Sequence, residues 1–178
     1  MNRQSFYQLR RYTIVYLITM ASGRTHNIGT LVLTPAVAWA AWELSQHDTT
    51  TTWLAGLGCF CGIFISPDLD MRQRTVSETT LLRWSLGIGY LWIFLWYPYA
   101  MLFRHRGISH TPLIGTATRM LYLLGIALIV QYGAQTLLGA TWSIWPWAQE
   151  YQYSIAIFIA GLAISDIGHW VLDHVKLF

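Results

Sequence analysis

The sequence predicts an all-α membrane protein, a polytopic bundle of about four transmembrane helices with an additional interfacial or re-entrant aromatic segment. Two observations on composition lead to this fold class. The mean hydropathy of the chain is +0.40, and 54% of its 178 residues are hydrophobic whereas only 11% are charged. Such a chain is too apolar for an ordinary soluble domain, and its length is that of a single domain.

Four apolar runs are the predicted membrane spans. They cover residues 28–44, 53–67, 113–139 and 153–175. The second run is shorter than the ~20 residues that usually cross the hydrocarbon core. We include it because its glycines, Gly56, Gly58 and Gly62, would allow close packing against neighbouring helices. Cys59 and Cys61 lie in the same run, and we expect both to be buried as small hydrophobes.

Residues 81–103 form an aromatic segment that is predicted not to cross the membrane. Tryptophan and tyrosine side chains prefer the depth of the lipid headgroups. The segment contains Trp84, Trp92, Trp96, Tyr97 and Tyr99. Pro98 is expected to break a helix at this point. We therefore expect the segment to be interfacial or re-entrant.

The positions of lysine and arginine orient the predicted bundle. The loops at residues 45–52 and 140–152 contain neither residue type. The basic residues lie near the two termini and within residues 72–119. By the positive-inside rule, the basic segments and both termini are cytoplasmic. If the aromatic segment crossed the membrane, Arg104 and Arg106 would move to the outer side and this sorting would be lost.

Polar clusters interrupt the apolar chain at the cytoplasmic end of each predicted span. In chain order they are SGRTHN with His26, SPDLD with Asp68 and Asp70, HRGISH with His105 and His110, and DIGHWVLD with His169 and Asp173. In the last cluster, Asp166, His169 and Asp173 are spaced i, i+3, i+7 and share a helix face. The four clusters are therefore expected to converge at one membrane face.

Each cluster alone has a simpler structural interpretation. The alternatives are a helix start, a turn with acidic caps, a solvated loop, and a hydrogen-bonded pair that joins two helices. Ionisable groups on a spanning helix are costly, however, and are usually functional. Taken together, the histidines and aspartates are ligand types for zinc, or for a pair of divalent ions such as manganese or iron. The seven residues named in the four clusters are the predicted ligands of one or two ions.

Residues beside the predicted ligands suggest anion binding and catalysis. The guanidinium of Arg106 matches the oxygen atoms of a phosphate or carboxylate. Ser109 and Thr111 are placed to hydrogen-bond to ligands. Asp70, or Asp166 deeper in the bundle, is a candidate general base. The predicted catalytic residues are Asp70 and Arg106.

The motifs also resemble those of a known family. MASGRTHN, SPDLD, WYPY, HRGISHTPL and GHWVLD are similar to motifs of uncharacterised bacterial metal-binding membrane proteins, relatives of inner-membrane-associated metal-dependent hydrolases. The resemblance covers residues 20–173, and its motif positions coincide with the seven predicted ligands and with Arg106 and Ser109. It implies metal binding at the bacterial inner membrane and, through the broader relatives, hydrolysis.

The resemblance also bears on where the domain begins. Chains of this family tend to start just before the Ser-Gly-Arg/Lys-Thr-His motif, which implies Met20 as the natural start. Residues 1–19 are then an upstream extension of a single domain at residues 20–178, and a basic interfacial helix is the alternative for this extension.

Two functions are compatible with the sequence. The first is a metal-dependent hydrolase that acts on a phosphoester or lipid headgroup, with the bilayer and an anionic substrate as partners and no nucleic acid. The second is a non-catalytic, metal-stabilised membrane scaffold or assembly factor. A structural zinc site uses about four protein ligands, and seven candidates are present here. The larger number favours an open or two-metal site and therefore the hydrolase. A metal transporter would need polar groups at mid-membrane, where only Asp166 is a candidate.

Overall fold

The computed structural model describes residues 22–71, 74–85, 87–105 and 107–175. Within these ranges the chain forms seven α-helices and two short 3₁₀ helices, without a strand. The α-helices are α1 (Gly23–Leu44), α2 (Thr49–Cys61), α3 (Val76–Trp84), α4 (Ile88–Leu102), α5 (Ile114–Leu138), α6 (Ile144–Glu150) and α7 (Gln152–His174). The 3₁₀ helices are the SPDLD turn (Pro67–Asp70) and the HRGISH turn (Ile108–His110). The predicted all-α class is confirmed, and the proposed extension at residues 1–19 lies outside the described residues.

Capping side chains explain where three helices begin. The hydroxyl of Ser22 accepts a hydrogen bond from the backbone N–H of Thr25 at 3.3 Å, at the start of α1. Asp48 caps α2 in the same way. Thr75 and Glu78 form a reciprocal capping box at the start of α3. Each cap satisfies backbone donors that a helix leaves free in its first turn.

Helices α1, α2 and α7 form the packed core of the protein. A Cβ atom added to Gly58 would lie 2.1 Å from the carbonyl oxygen of Phe158, and one added to Gly62 would lie 2.0 Å from the hydroxyl oxygen of Ser165. Only glycine allows α2 to approach α7 this closely. The expected close packing of this short helix through its glycines is confirmed.

The two cysteines differ in burial. Cys59 has no exposed surface and packs with Val37 and Ala55 between the three core helices, as expected for a small hydrophobe. Cys61 is only partly buried. Two residues correspond to about 200° of rotation on an α-helix, so Cys61 points away from the surface that Cys59 packs against.

The predicted aromatic segment at residues 81–103 forms the end of α3 and all of α4. Helix α4 continues through Pro98, so the expectation that Pro98 breaks the helix was wrong. A proline removes one helical donor, here the N–H that would bond to the carbonyl of Phe94. Because α4 ends four residues later, the loss affects only its last turns. Buried Trp96 and Tyr99 hold these turns against the rest of the protein.

Two aromatic residues of α4 lie in the protein interior instead of at headgroup depth. Trp96 and Tyr99 pack with Leu69 of the SPDLD turn and with Tyr122 of α5. The hydroxyl of Tyr99 also shares a hydrogen bond of 2.9 Å with the hydroxyl of Thr118. The remaining three aromatic residues of the predicted set stay at least partly exposed. Helix α4 thus fastens the SPDLD turn to the start of α5.

Two helices, α5 and α7, are long and apolar enough to cross a membrane. Helix α1 has 22 residues but carries polar residues in its first turns, and α2 has only 13 residues. Helix α4 is apolar and has 15 residues. Length and composition alone give weak support to membrane association, and the four-span topology stays a prediction.

Candidate metal centre

The four predicted clusters meet at one end of the helical core. Helix α1 presents its ligand in the first turn, α7 presents two near its C-terminal end, and the segments around the two 3₁₀ turns present the other four. The seven side chains fall into three groups whose ligand atoms lie within 4.8 Å of one another: the inner triad of His26, His169 and Asp173, the middle triad of Asp68, His110 and His169, and the outer triad of Asp70, His105 and His110. Because neighbouring triads share a histidine, they form one continuous cluster.

The inner triad joins α1 to α7. The Nε2 atom of His26 lies 3.1 Å from a carboxylate oxygen of Asp173. The imidazole rings of His26 and His169 are stacked, with centroids 3.7 Å apart. A hydrogen bond of 3.2 Å between Thr30 and Ser165 fixes the two helices in this register. The Nδ1 atom of His26 is buried, and none of the described residues is its hydrogen-bond partner. Buried polar atoms are nearly always paired, so this nitrogen marks an incompletely satisfied cluster.

The middle triad has the spacing of metal ligands. One oxygen of Asp68 lies 3.5 Å from Nε2 of His110 and 3.6 Å from Nε2 of His169. These distances are longer than good hydrogen bonds. Two ligand atoms bound at about 2.1 Å to a tetrahedral zinc ion are about 3.4 Å apart. The three atoms are therefore placed as ligands of one ion would be.

The outer triad is centred on Asp70, which is buried. Its two oxygen atoms accept hydrogen bonds from Nδ1 of His105 at 2.7 Å and Nδ1 of His110 at 3.1 Å, and the hydroxyl of Ser109 donates to it as well. The side chain of His105 is 37% exposed, more than any other of the seven predicted ligands. Ser109 thus contacts a predicted ligand, as expected. Thr111 is exposed, and no hydrogen bond joins its side chain to a described ligand.

Hydrogen bonds between histidines and carboxylates shift the pKa values of the two turns. Burial alone would raise the pKa of Asp68 and of Asp70, but the neighbouring histidines hold both below the usual range. Burial alone would lower the pKa of His110, whereas the nearby carboxylates of Asp68 and Asp70 raise it to about 9. Among the described residues, no lysine or arginine forms an ion pair with Asp68, Asp70 or Asp173. Within the described part of the chain, histidine alone balances the charge of these carboxylates, and a bound metal ion would replace the histidine protons.

A second polar network lies deeper between α5 and α7 and was not predicted from the sequence. Arg119 forms an ion pair with Asp166, and the hydroxyl of Thr116 donates to the same carboxylate oxygen. Arg119 also donates to the carbonyl oxygen of Ser109 at 3.4 Å. Both charged residues are buried. An arginine inside an apolar segment needs an acidic partner. The position of Arg119 within an apolar run was therefore the sequence feature that could have indicated this pair.

Two further predicted features lie outside the seven-residue cluster. Asp166, a candidate general base, is engaged by Arg119, which leaves it poorly placed to accept a proton. Arg106 lies outside the described residues. His47 and His174, which were not predicted as ligands, are exposed and belong to none of the three triads.

The donor set fits a divalent metal ion. Four imidazoles and three carboxylates are available, and this combination of nitrogen and oxygen ligands suits zinc, manganese or iron. The ligand spacing of the middle triad and the unpaired nitrogen of His26 agree with this assignment. The fold and the cluster together define a helical metal-binding protein.

Comparison with known proteins leads to the same class. The family model described as "Uncharacterized metal-binding protein (DUF2227)" matches residues 21–177, and the chain belongs to this family. An "Uncharacterized protein" of Aquifex aeolicus (strain VF5) is 33% identical over 137 residues, which cover 69% of this chain and 89% of that relative. No solved structure matches the chain. The resemblance is thus confirmed for metal binding, while the link to hydrolases stays a prediction.

Proposed function

We propose that the protein is a metal-dependent hydrolase that acts on a phosphoester or lipid headgroup at the cytoplasmic face of the bacterial inner membrane. One observation carries this proposal: the outer triad borders a cavity of about 630 Å³, which Asp70 and His105 help to line. A structural metal site is closed and uses about four protein ligands. A cluster with seven candidate ligands and one accessible edge suits a site that leaves a position for water and substrate.

The chemistry follows from the ions that the triads would hold. The inner and outer triads share no residue, so two ions can bind without competing for a ligand. When bound, a divalent ion, with zinc as the first candidate, lowers the pKa of water in contact with it and stabilises negative charge on a phosphoryl oxygen. In the net reaction, the water oxygen forms a bond to phosphorus, the ester P–O bond breaks, and the leaving oxygen takes up the proton that water loses.

The contacts of the acidic residues limit their roles. Both oxygens of Asp70 accept hydrogen bonds and its side chain is buried, so we assign it to holding the ion and orienting His105. Asp166 is paired with Arg119 and is assigned to structure. Arg106 keeps its predicted role of binding a phosphoryl oxygen, because it follows the ligand His105 directly in the sequence.

A membrane location is part of the proposal. No residue in the most apolar 18-residue stretch of α5 is buried within the protein. The core helix of a soluble protein would be mostly buried. In the proposed topology, α1, α2, α5 and α7 cross the bilayer and the α3–α4 pair lies at its cytoplasmic surface. The absence of lysine and arginine from residues 45–52 and 140–152 supports this orientation.

Cysteine labelling tests the topology. Thr80→Cys and Thr111→Cys introduce thiols at exposed positions, in a background with Cys59→Ala and Cys61→Ala. Both should be modified from the cytoplasmic side, whereas a thiol at Gln46 should be modified only from the outside. If Thr80→Cys and Thr111→Cys react from opposite faces, the two turns cannot share a site in the proposed orientation.

An activity screen tests the reaction. Metal-loaded protein in detergent should hydrolyse at least one member of a panel of phosphomonoesters, phosphodiesters and phospholipids. His105→Ala should reduce the rate strongly because it removes the ligand nearest the cavity, while the matched control His174→Ala should not. A fully loaded wild type that is inactive across the whole panel would overturn the hydrolase proposal.

The inner triad, with two of its three residues buried, favours a second candidate function, a metal-stabilised scaffold. His26 and Asp173 belong to different helices, so an ion bound there would join α1 to α7. In a scaffold, metal removal lowers the unfolding temperature and no substrate is turned over. The activity screen and a thermal unfolding series with and without chelator therefore separate the two candidates.

A further inference from the structure

The cavity beside the outer triad reaches the metal cluster at its most accessible ligand. It lies between the SPDLD turn and the C-terminal end of α4, and Asp70 and His105 line one end. Because His105 is 37% exposed, a molecule in this cavity would touch the cluster without any rearrangement of buried residues. We name this cavity the α4 groove.

The α4 groove has an apolar wall and a cationic end. Met101 and Leu102 line it and are 60% and 72% exposed. Arg104 lines it as well, next to the predicted ligand His105. An exposed guanidinium binds phosphate oxygens, and exposed apolar side chains bind alkyl groups. A ligand that satisfies both carries an anionic group such as a phosphate together with a hydrocarbon chain.

An exposed face of α4 extends the apolar wall along the helix. Tyr90, Phe94, Tyr97 and Met101 are spaced i, i+4, i+7 and i+11, so they share one face, and all four are exposed. A continuous apolar surface of this kind marks contact with a partner or a membrane. A small soluble phosphoester has no hydrocarbon chain that could contact this face, whereas a lipid has an acyl chain that could.

We propose that the α4 groove binds a membrane lipid with a phosphate headgroup. The acyl chain lies along Met101 and Leu102, and the phosphate lies between Arg104 and the outer triad. Basic pockets at the cytoplasmic membrane surface bind lipid headgroups by the same physical rule. This inference rests on the proposed function only for the hydrolysis of the bound lipid. Binding of the lipid is tested separately from its hydrolysis.

Photo-crosslinking tests the binding without requiring turnover. The probe is a hydrolysis-resistant diacyl phosphonate lipid with a diazirine on one acyl chain, added in mixed micelles to the metal-loaded full chain. Labelling should concentrate on Met101 and Leu102, and Arg104→Gln should reduce it at least about 5-fold because the guanidinium contact is lost. A diacylglycerol probe with the same diazirine should label these residues much less, and inorganic phosphate should compete only weakly.

Three results would overturn the lipid site. They are labelling spread evenly over the apolar surfaces of α4 and α5, equal labelling by the diacylglycerol probe, and full competition by inorganic phosphate. The first would indicate ordinary lipid contact with the protein surface, and the last would indicate a site for free phosphate.

Chain-length selectivity separates this inference from the proposed function. Leu102→Gln should lower kcat/KM for a long-chain phospholipid at least about 10-fold, with little change for a short-chain, water-soluble analogue, since only the long chain contacts the groove. Leu137→Gln, an exposed position at the far end of α5, should change neither. If only soluble esters are hydrolysed, the proposed hydrolase function stands and the lipid site is refuted. If the lipid probe labels the groove as described but no substrate is hydrolysed, the lipid site stands and the hydrolase function is refuted.

Discussion

The Arg119–Asp166 pair and the metal cluster are two polar regions of one bundle that balance their charges differently. In the first, a buried arginine faces a buried aspartate in direct contact, and the hydroxyl of Thr116 donates to the same carboxylate oxygen. In the second, the three carboxylates are partnered by histidines and, at Asp70, by the hydroxyl of Ser109, and no described lysine or arginine pairs with them. Buried charge must be compensated. Where the protein supplies the opposite charge, we infer a structural role, and where it supplies only ligands, we infer an external cation.

The contact distances show the same contrast. Arg119 and Asp166 are in direct hydrogen-bonding contact. In the middle triad, Asp68 stays 3.5 and 3.6 Å from its two histidines, which is the separation of atoms bound to one ion rather than to each other. Removing a carboxylate should therefore affect folding stability most in the first region and metal affinity most in the second.

The largest effect is expected for Asp166→Leu. This change leaves Arg119 buried and unpaired, and breaking a buried pair in this way costs about 3–5 kcal/mol of unfolding free energy. The double variant Arg119→Met with Asp166→Leu removes both charges and should recover most of the loss. Thermal and denaturant unfolding in detergent measure both. A single variant as stable as the wild type would contradict the structural assignment of the pair.

In the metal cluster, Asp68→Asn should weaken metal affinity by about 100-fold, because it removes the carboxylate shared by two histidines. The unfolding temperature of the metal-free protein should fall slightly, since the charged Asp68 has a lowered pKa and helps to raise the pKa of His110. Isothermal titration with zinc and thermal unfolding in chelator measure the two quantities. The exposed histidines serve as controls, and His47→Ala and His174→Ala should keep full metal content. Equal losses in all three variants would indicate misfolding rather than ligand removal.

For Arg106→Ala, we expect intact metal content and folding but a rate of hydrolysis lower by about 10²-fold. Its guanidinium has no acceptor atom and cannot ligate a metal, so its role lies with the charge on the substrate. Arg106→Lys should recover only part of the rate, because a point charge does not reproduce the two parallel hydrogen bonds. Steady-state kinetics on a responsive phosphoester provide the test. Loss of metal in Arg106→Ala would point to a structural role instead.

The smallest effect is the pH dependence of the metal-free protein. The pKa of His110 is raised to about 9, so its stabilising contribution is complete below its usual value of about 6.5 and is lost as pH rises through 9. The pKa of Asp70 is lowered, so its contribution is lost only in acid. The unfolding temperature in chelator should fall between pH 6.5 and 9, and with bound metal, which displaces the proton from His110, this fall should disappear. The same slope with and without metal would exclude His110 as a ligand.

The sequence predicted the helical class and the meeting of the polar clusters because both follow from short-range patterns. Apolar runs indicate helices in an apolar environment, and the spacing of His169 and Asp173 places them on one helix face. The positive-inside rule then predicted that the clusters lie on the same side of the membrane. The structure places all seven predicted ligands in contacting triads.

What the sequence did not predict depends on tertiary partners. The pairing of Arg119 with Asp166 joins positions that are 47 residues apart, and no local pattern indicates which acid an isolated arginine meets. The continuation of α4 through Pro98 depends on packing of Trp96 and Tyr99 against other elements. Helix α6 lies within a predicted outer loop, where a seven-residue helix leaves too short a pattern to recognise.

Metal content per chain tests the central claim most directly. Protein purified in detergent, loaded separately with zinc, manganese and iron and freed of excess, is analysed by elemental mass spectrometry against protein concentration. We predict one or two ions per wild-type chain, fewer in Asp68→Asn, and an unchanged number in the double variant Arg119→Met with Asp166→Leu. A wild type that retains none of the three metals would contradict the account.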